Sequence, residues 1–175
     1  QSYSQAMHWY ERAAKQGDAI SQSNLAGLYE LGRGVKKDID KAIQWYRVAA
    51  SGGDVVAQKN LADIYFYGKG VTKDLAKAFH LFRDAAELGY APAQNGLAWM
   101  YSEGEGVPQD FAKAKEWYSK AGIQGNGYAL YRLGHFYVHG LGVKVDNAKA
   151  VAYFRLAAER NEPLALYRLG WMYSL

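Results

Sequence analysis

The sequence has no cysteine, which excludes disulfides, thiol catalysis and cysteine-ligated zinc while leaving the redox compartment open. It has no apolar run near the roughly 20 residues that a membrane-spanning helix needs, and no signal peptide is visible. Because the chain opens at Gln1 rather than Met, removal of a leader is compatible with it. Neither sign of charge forms a long run. The 21 Lys and Arg are interleaved with 17 Asp and Glu, for a formal charge of +4 and a pI near 9.1, far from a nucleic-acid-binding arm. Also missing is any sign of disorder: half the residues are hydrophobic and fifteen are Tyr, enough apolar surface for a well-folded chain.

What is present is a chain that repeats every 36 residues. Leu25-Ala26, Tyr29, Gly32, Gly34-Val35, Asp38 and Lys41-Ala42 recur as Leu61, Tyr65, Gly68, Gly70-Val71, Asp74 and Lys77-Ala78. They recur again as Leu97, Tyr101, Gly104, Gly106-Val107, Asp110 and Lys113-Ala114, then as Leu133, Tyr137, Gly140, Gly142-Val143, Asp146 and Lys149-Ala150, and Leu169 and Tyr173 begin a further copy. A period of this length marks a solenoid, in which each unit buries its apolar face only by stacking on a neighbour. Residues 1–175 therefore read as one array: a partial unit at 1–21, full repeats at 22–57, 58–93, 94–129 and 130–165, and a partial unit at 166–175.

Within a unit, Gln58, Leu61, Ala62 and Tyr65 fall at i, i+3, i+4 and i+7, one face of a first helix, A. Gly68 can take the left-handed conformation that ends it, Gly70 is expected to give the loop a second flexible point, and Val71 offers an apolar anchor. Asp74 starts helix B as a cap that meets the positive end of the helix dipole. The buried stripe of helix B is Ala78, Leu81, Phe82, Ala85 and Ala86. Helix B ends near Gly17, Gly53, Gly89 and Gly125, after which Asp18 and Asp54 cap the next helix A, and Pro92 and Pro163 sit in first turns. Asp74 with Lys77, Asp110 with Lys113 and Asp146 with Lys149 form surface ion pairs worth about 0.2–0.5 kcal/mol each. The expected fold is all-α, a right-handed superhelical solenoid of antiparallel helix pairs.

The pattern Leu-Ala-x-x-Tyr-x-x-Gly-x-Gly-Val-x-x-Asp-x-x-Lys-Ala-x-x-Trp-Tyr-x-x-Ala-Ala resembles the Sel-1-like repeat, a relative of the tetratricopeptide repeat, over nearly the whole chain. Leu81-Phe82 and Tyr153-Phe154 depart from it at Trp-Tyr, Gly122 replaces the second alanine, and Asn161 stands where the closing glycine would be. The unit with Gly122, Gly125 and Gly127 is expected to be a soft joint, since a mid-helix glycine costs roughly 0.5–1 kcal/mol relative to alanine.

The resemblance implies that helix A lines a concave face, where positions that do not recur are free to specialise. Three ladders follow: Ser23, Lys59, Asn95, Tyr131, Tyr167; then Gly27, Asp63, Trp99, His135, Trp171; then Glu30, Phe66, Ser102, Val138, Ser174. The first rungs are small and polar. The later ones are rich in aromatics, with Arg132 and Arg168 beside them, and Tyr, Trp and Arg are the residue types that most often anchor interfaces. The expected partner-binding set is Lys59, Asp63, Phe66, Asn95, Trp99, Tyr131, Arg132, His135, Tyr167, Arg168 and Trp171. Packing between units competes with this reading for some of these aromatics, and a following repeat would cover Trp171 and Tyr173.

No catalytic set emerges. His135 and His139 stand i, i+4, but Phe-Tyr-Val lies between them, without the glutamate of a zinc protease and without a third ligand, so no metal site is expected. Glu103 and Glu105 read as solvated charges at the loop, and Gly-x-Gly recurs as a turn with no strand before it, unlike a dinucleotide loop. The reading is thus a non-enzymatic scaffold, without cofactor, that recruits a protein or peptide on its helix A face. The resemblance implies an adaptor, bacterial in look, and a periplasmic or secreted place in preference to a cytoplasmic one. An envelope module that stacks on cell-wall glycan or muropeptide is the alternative. A beta-lactam hydrolase, suggested by a cysteine-rich subgroup of the family, lacks both the cysteines and a nucleophile motif here. RNA binding lacks the Lys and Arg it would need on the ladders. Neither end resembles a polar capping repeat, so a fragment of a longer array that self-associates through its exposed repeat ends is a further expectation.

Overall fold

The computed structural model describes residues 2–174, and among them ten helices and no strand occur. Gln1 and Leu175, the ends of the expected array, lie outside the described residues. The chain forms two compact units. Gln1–Leu88 carries α1 (Tyr3–Lys15), α2 (Ala19–Leu31), α3 (Ile39–Ser51), α4 (Val55–Tyr67) and α5 (Leu75–Glu87), each packed on the next. Gly89–Leu175 carries α6 (Ala91–Glu103), α7 (Phe111–Ile123), α8 (Gly127–His139), α9 (Asn147–Glu159) and α10 (Pro163–Met172), again packed in sequence. Each unit is a solenoid of antiparallel helix pairs, with α2, α4, α6, α8 and α10 as helices of type A.

Local signals set the helix ends. The carboxylates of Asp38, Asp74, Asp110 and Asp146 accept from the amides of Lys41, Lys77, Lys113 and Lys149 at 2.9–3.0 Å, each cap worth about 1 kcal/mol. The same lysines return to those aspartates, with Lys77 at 2.7 Å from Asp74. They also lie over the recurring tyrosines of helix A, Lys77 at 5.3 Å from the centre of the Tyr65 ring. The recurring Tyr and Lys are thus one contact between the two helices of a pair. Asp18 and Asp54 cap α2 and α4, and Pro92 and Pro163 occupy first turns. Asn161 replaces glycine at a φ of 58°, a left-handed conformation that Asn tolerates better than most residues.

One expectation about glycine needs correction. Gly68 does end α4 in the left-handed region, but Gly70 is a point of close approach and not a flexible one. With φ at 71°, a Cβ on it would meet Ile39 Cγ1 at 2.9 Å. The amide of Asp74 donates to the Tyr65 carbonyl at 2.9 Å across the same loop, and bonds of 2.8–2.9 Å repeat from Asp38, Asp110 and Asp146. Gly122 likewise serves close packing. It is buried in an unbroken α7, where a Cβ would stand 2.9 Å from Leu130 Cδ2, so its lack of a side chain brings α8 close.

The core alternates small and large residues. Ala42, Ala49, Ala78 and Ala85 are fully buried around Tyr46 and Phe82 in Gln1–Leu88, as are Ala114, Ala121, Ala150 and Ala157 around Tyr118 and Phe154 in Gly89–Leu175. Phe136 of α8 meets Tyr118 and Phe111 edge-on at 5.8 and 5.7 Å, the geometry favoured by aromatic quadrupoles.

Candidate functional site

In Gln1–Leu88 the expected site residues are largely satisfied by their neighbours. Lys59 and Asp63, one turn apart on α4, pair at 2.7 Å. Phe66 is 9% exposed and packs edge-on against Phe82 at 6.3 Å, so the burial of this rung makes it a core residue. Glu30 of α2 accepts from the Tyr46 hydroxyl at 2.9 Å and from Lys69 at 3.3 Å. Burial, with the Glu30 charge beside it, pushes the Tyr46 hydroxyl well above the usual phenol range. Every charge on the two A helices of this unit therefore has a partner.

In Gly89–Leu175 the side chains of α6, α8 and α10 build a different surface. Arg132 of α8 is its anchor, with a side chain only 13% exposed. Its Nη2 donates to Glu103 at 2.5 Å and to Ser102 Oγ at 2.7 Å, its Nη1 donates to the Tyr128 hydroxyl at 3.3 Å, and the Ser102 hydroxyl donates on to Glu103 at 2.7 Å. The guanidinium carbon lies 5.5 Å from the centre of the Tyr118 ring. Burial opposes the charge of Arg132, but Tyr118 and Glu103 outweigh it and hold the guanidinium firmly protonated. Burial likewise works against the Glu103 carboxylate, and the bonds from Arg132 and Ser102 prevail to keep it below its ordinary range.

Beside this anchor, Tyr131, His135 and His139 follow one another up α8, with ring centres 6.4 and then 4.2 Å apart. Tyr131 backs onto buried Phe154 at 5.7 Å. Burial pushes His135 down to about 4, helped by the positive fields of His139, Arg132 and Arg168, with Glu103 pulling the other way. Its Nδ1 is buried without a hydrogen-bond partner, as is Asn95 Oδ1 on α6. On α10, Tyr167 is 71% exposed and Trp171 45% exposed, one turn apart and so on one face. Arg168 is half-buried, and no carboxylate among the described residues lies within ion-pair distance of it. Trp99 is half-buried on α6.

Sequence reasoning named Arg132, His135 and Arg168 but missed the Glu103, Ser102 and Tyr128 triplet that fixes Arg132, since Glu103 read as a solvated loop charge. A signal was available at one repeat position, where Asn24, Asn60 and Gly96 give way to Arg132 and Arg168. Among the described residues no group of three His, Cys, Asp or Glu is placed to hold a metal ion, and no helix is long and apolar enough to cross a membrane.

The family model of the Sel1 repeat matches residues 1–18, 19–54, 55–90, 91–126, 127–162 and 163–175. Among solved structures, the chain is similar to a Sel1 repeat protein from Oxalobacter formigenes, with 33% identity and a TM-score of 0.93 over 98% of this chain and 70% of that one. It is also similar to c5321, a protective antigen present in uropathogenic Escherichia coli strains and displaying an SLR fold, with 37% identity and a TM-score of 0.90. That match covers 98% of this chain, which spans 37% of the length of c5321. Cysteine rich protein B of Helicobacter pylori is 28% identical over 77% of this chain and 97% of its own, with a TM-score of 0.61. No curated protein matches the sequence.

Proposed function

The chain belongs to the Sel1 repeat family, and from that premise we propose that it is a non-enzymatic scaffold that holds an extended segment of a partner protein on the α6, α8 and α10 face of Gly89–Leu175. Sel1 repeat proteins are typically protein-interaction scaffolds and generally not enzymes. The observation that carries the choice of face is the row of Tyr131, His135 and His139 along α8 beside the fixed Arg132. On α10, Tyr167, Arg168 and Trp171 occupy the repeat positions of Tyr131, Arg132 and His135. Aromatics grouped with arginine have the composition of interface anchors. Asn95, Trp99 and Arg132 complete the face in this reading. Lys59 and Asp63 neutralise each other and contribute polarity only, and Phe66 contributes packing.

The test is selection of binding peptides from a displayed library, followed by calorimetry with the wild type and with Trp99→Ala, Tyr131→Ala, Tyr167→Ala and Trp171→Ala. Losses of about 1–4 kcal/mol in binding, the scale of aromatic anchors, are expected. Equal affinity of all five proteins would remove this face from consideration. Retention on peptidoglycan with no peptide selected would favour the glycan module instead.

A further inference from the structure

The charges of the A helices differ between the two units. In Gln1–Leu88, α2 and α4 carry Glu30, Lys59 and Asp63, all ion-paired. In Gly89–Leu175, the only acid on α6, α8 and α10 is Glu103, against Arg132, His135, His139 and Arg168. Arg132 consumes Glu103. The carboxylate of Glu162, which precedes α10, is engaged by the amide of Leu164. Among the described residues no carboxylate is then within ion-pair distance of half-buried Arg168, whose charge disfavours a proton on His135, and the buried His135 Nδ1 has no hydrogen-bond partner. Placing a cation in partial burial without an anion costs free energy that a ligand carboxylate would recover, and charge-assisted hydrogen bonds to arginine are among the stronger polar contacts.

Building on the reading of this face as a docking surface, we propose that it is selective for an acidic partner segment. Arg168 and His139 receive its carboxylates, Arg132 supplies a fixed positive field from behind, and Tyr167 and Trp171 cover the residues on either side. The groups facing His135 are Glu103 from α6, Arg132 and His139 from α8 and Arg168 from α10. A carboxylate arriving beside Arg132 and Arg168 offsets their field at the imidazole, so binding draws a proton onto His135. Affinity therefore rises as the solution is acidified toward the ordinary histidine range, and it falls with salt because the attraction is screened.

The experiment uses three sets of short fluorescent peptides with a central Trp or Tyr, flanked by Asp and Glu, by Asn and Gln, or by Lys and Arg, titrated against the whole chain at low and high salt. The acidic set is expected to bind at least about tenfold tighter than the amide set, a charge-assisted bond being worth that much, and the basic set weakest. Arg168→Gln should remove most of that preference, weakening the acidic set far more than the amide set, and Arg168→Lys should retain most of it. Lys144→Gln, which removes an exposed loop charge from the same unit, should leave it unchanged. The NMR titration of His135 should move upward from about 4 when an acidic peptide is bound. Equal binding of acidic and amide sets, with Tyr167→Ala still weakening both, overturns the charge selectivity and leaves the docking face standing. An acidic preference that largely survives Arg168→Gln overturns it as well. Failure of every set to bind overturns both readings.

Discussion

Gly134 of α8 lies against the ring of Phe154 of α9: a Cβ on the glycine would stand 2.6 Å from Cε1 and 2.7 Å from Cδ1. Ala26, Ala62 and Ala98 fill the equivalent positions of the preceding repeats, so alanine is the residue the repeat pattern would supply. Here it does not fit. Phe154 is fully buried and also meets Tyr131 of α8 at 5.7 Å, so the ring has little room to swing away.

Gly134→Ala should therefore destabilise the chain although it improves helix propensity. Overpacking costs about 1–3 kcal/mol against a propensity gain of about 1 kcal/mol, for a net loss of up to about 2 kcal/mol. Urea unfolding should show an earlier midpoint. Combining Gly134→Ala with Phe154→Leu should recover part of the loss, and a midpoint at or above wild type for the single variant would contradict the packing argument.

Arg132→Gln should cost about 1–3 kcal/mol, below the range for fully buried pairs because Glu103 is 40% exposed. The Glu103 carboxyl titrates below its unfolded value, so its contribution is complete above the ordinary carboxylate range and is lost as pH falls through the lower folded value. The difference in unfolding midpoint between wild type and Arg132→Gln should accordingly shrink on acidification from neutral pH. A difference that stays constant to strongly acid pH would mean that the ion pair is not its source.

His135 behaves oppositely to a histidine that gains an acidic partner. Its folded value, about 4, lies below the ordinary 6.5, so the unfolded chain binds the proton more readily. Stability is unaffected above that ordinary value and declines as pH falls from there toward 4, by on the order of 1–2 kcal/mol once solvent screening of a half-buried group is allowed for. His135→Gln should flatten this part of the profile. An unchanged slope in urea titrations across that window would disprove the assignment.

Asn161 should be replaceable by glycine at nearly no cost, while Asn161→Ala should lose about 1 kcal/mol, because the φ of 58° penalises a Cβ that lacks the local hydrogen bonding of Asn. Thermal melts of both variants test this, and equal stability of the alanine variant would count against it.

The period, the helix types and the caps were legible in the sequence, for a physical reason visible at Asp74 and Gly68. A cap bonds an amide three residues away and a left-handed glycine closes the turn it ends, so both act within reach of local spacing. The face could only be sketched. Periodicity put Phe66 on a ladder, but packing against Phe82 decided that it is buried. Glu103 looked like a loop charge until α6 and α8 came together and Arg132, 29 residues on, took it. Gly122 read only as a missing alanine, and its close contact with Leu130 came with the packing of α7 on α8. Repeat spacing says which residues share a helix face. Which of them neutralise one another, and whether a ring ends in the core or in water, depends on distances and rotamers between helices that only the packed structure fixes.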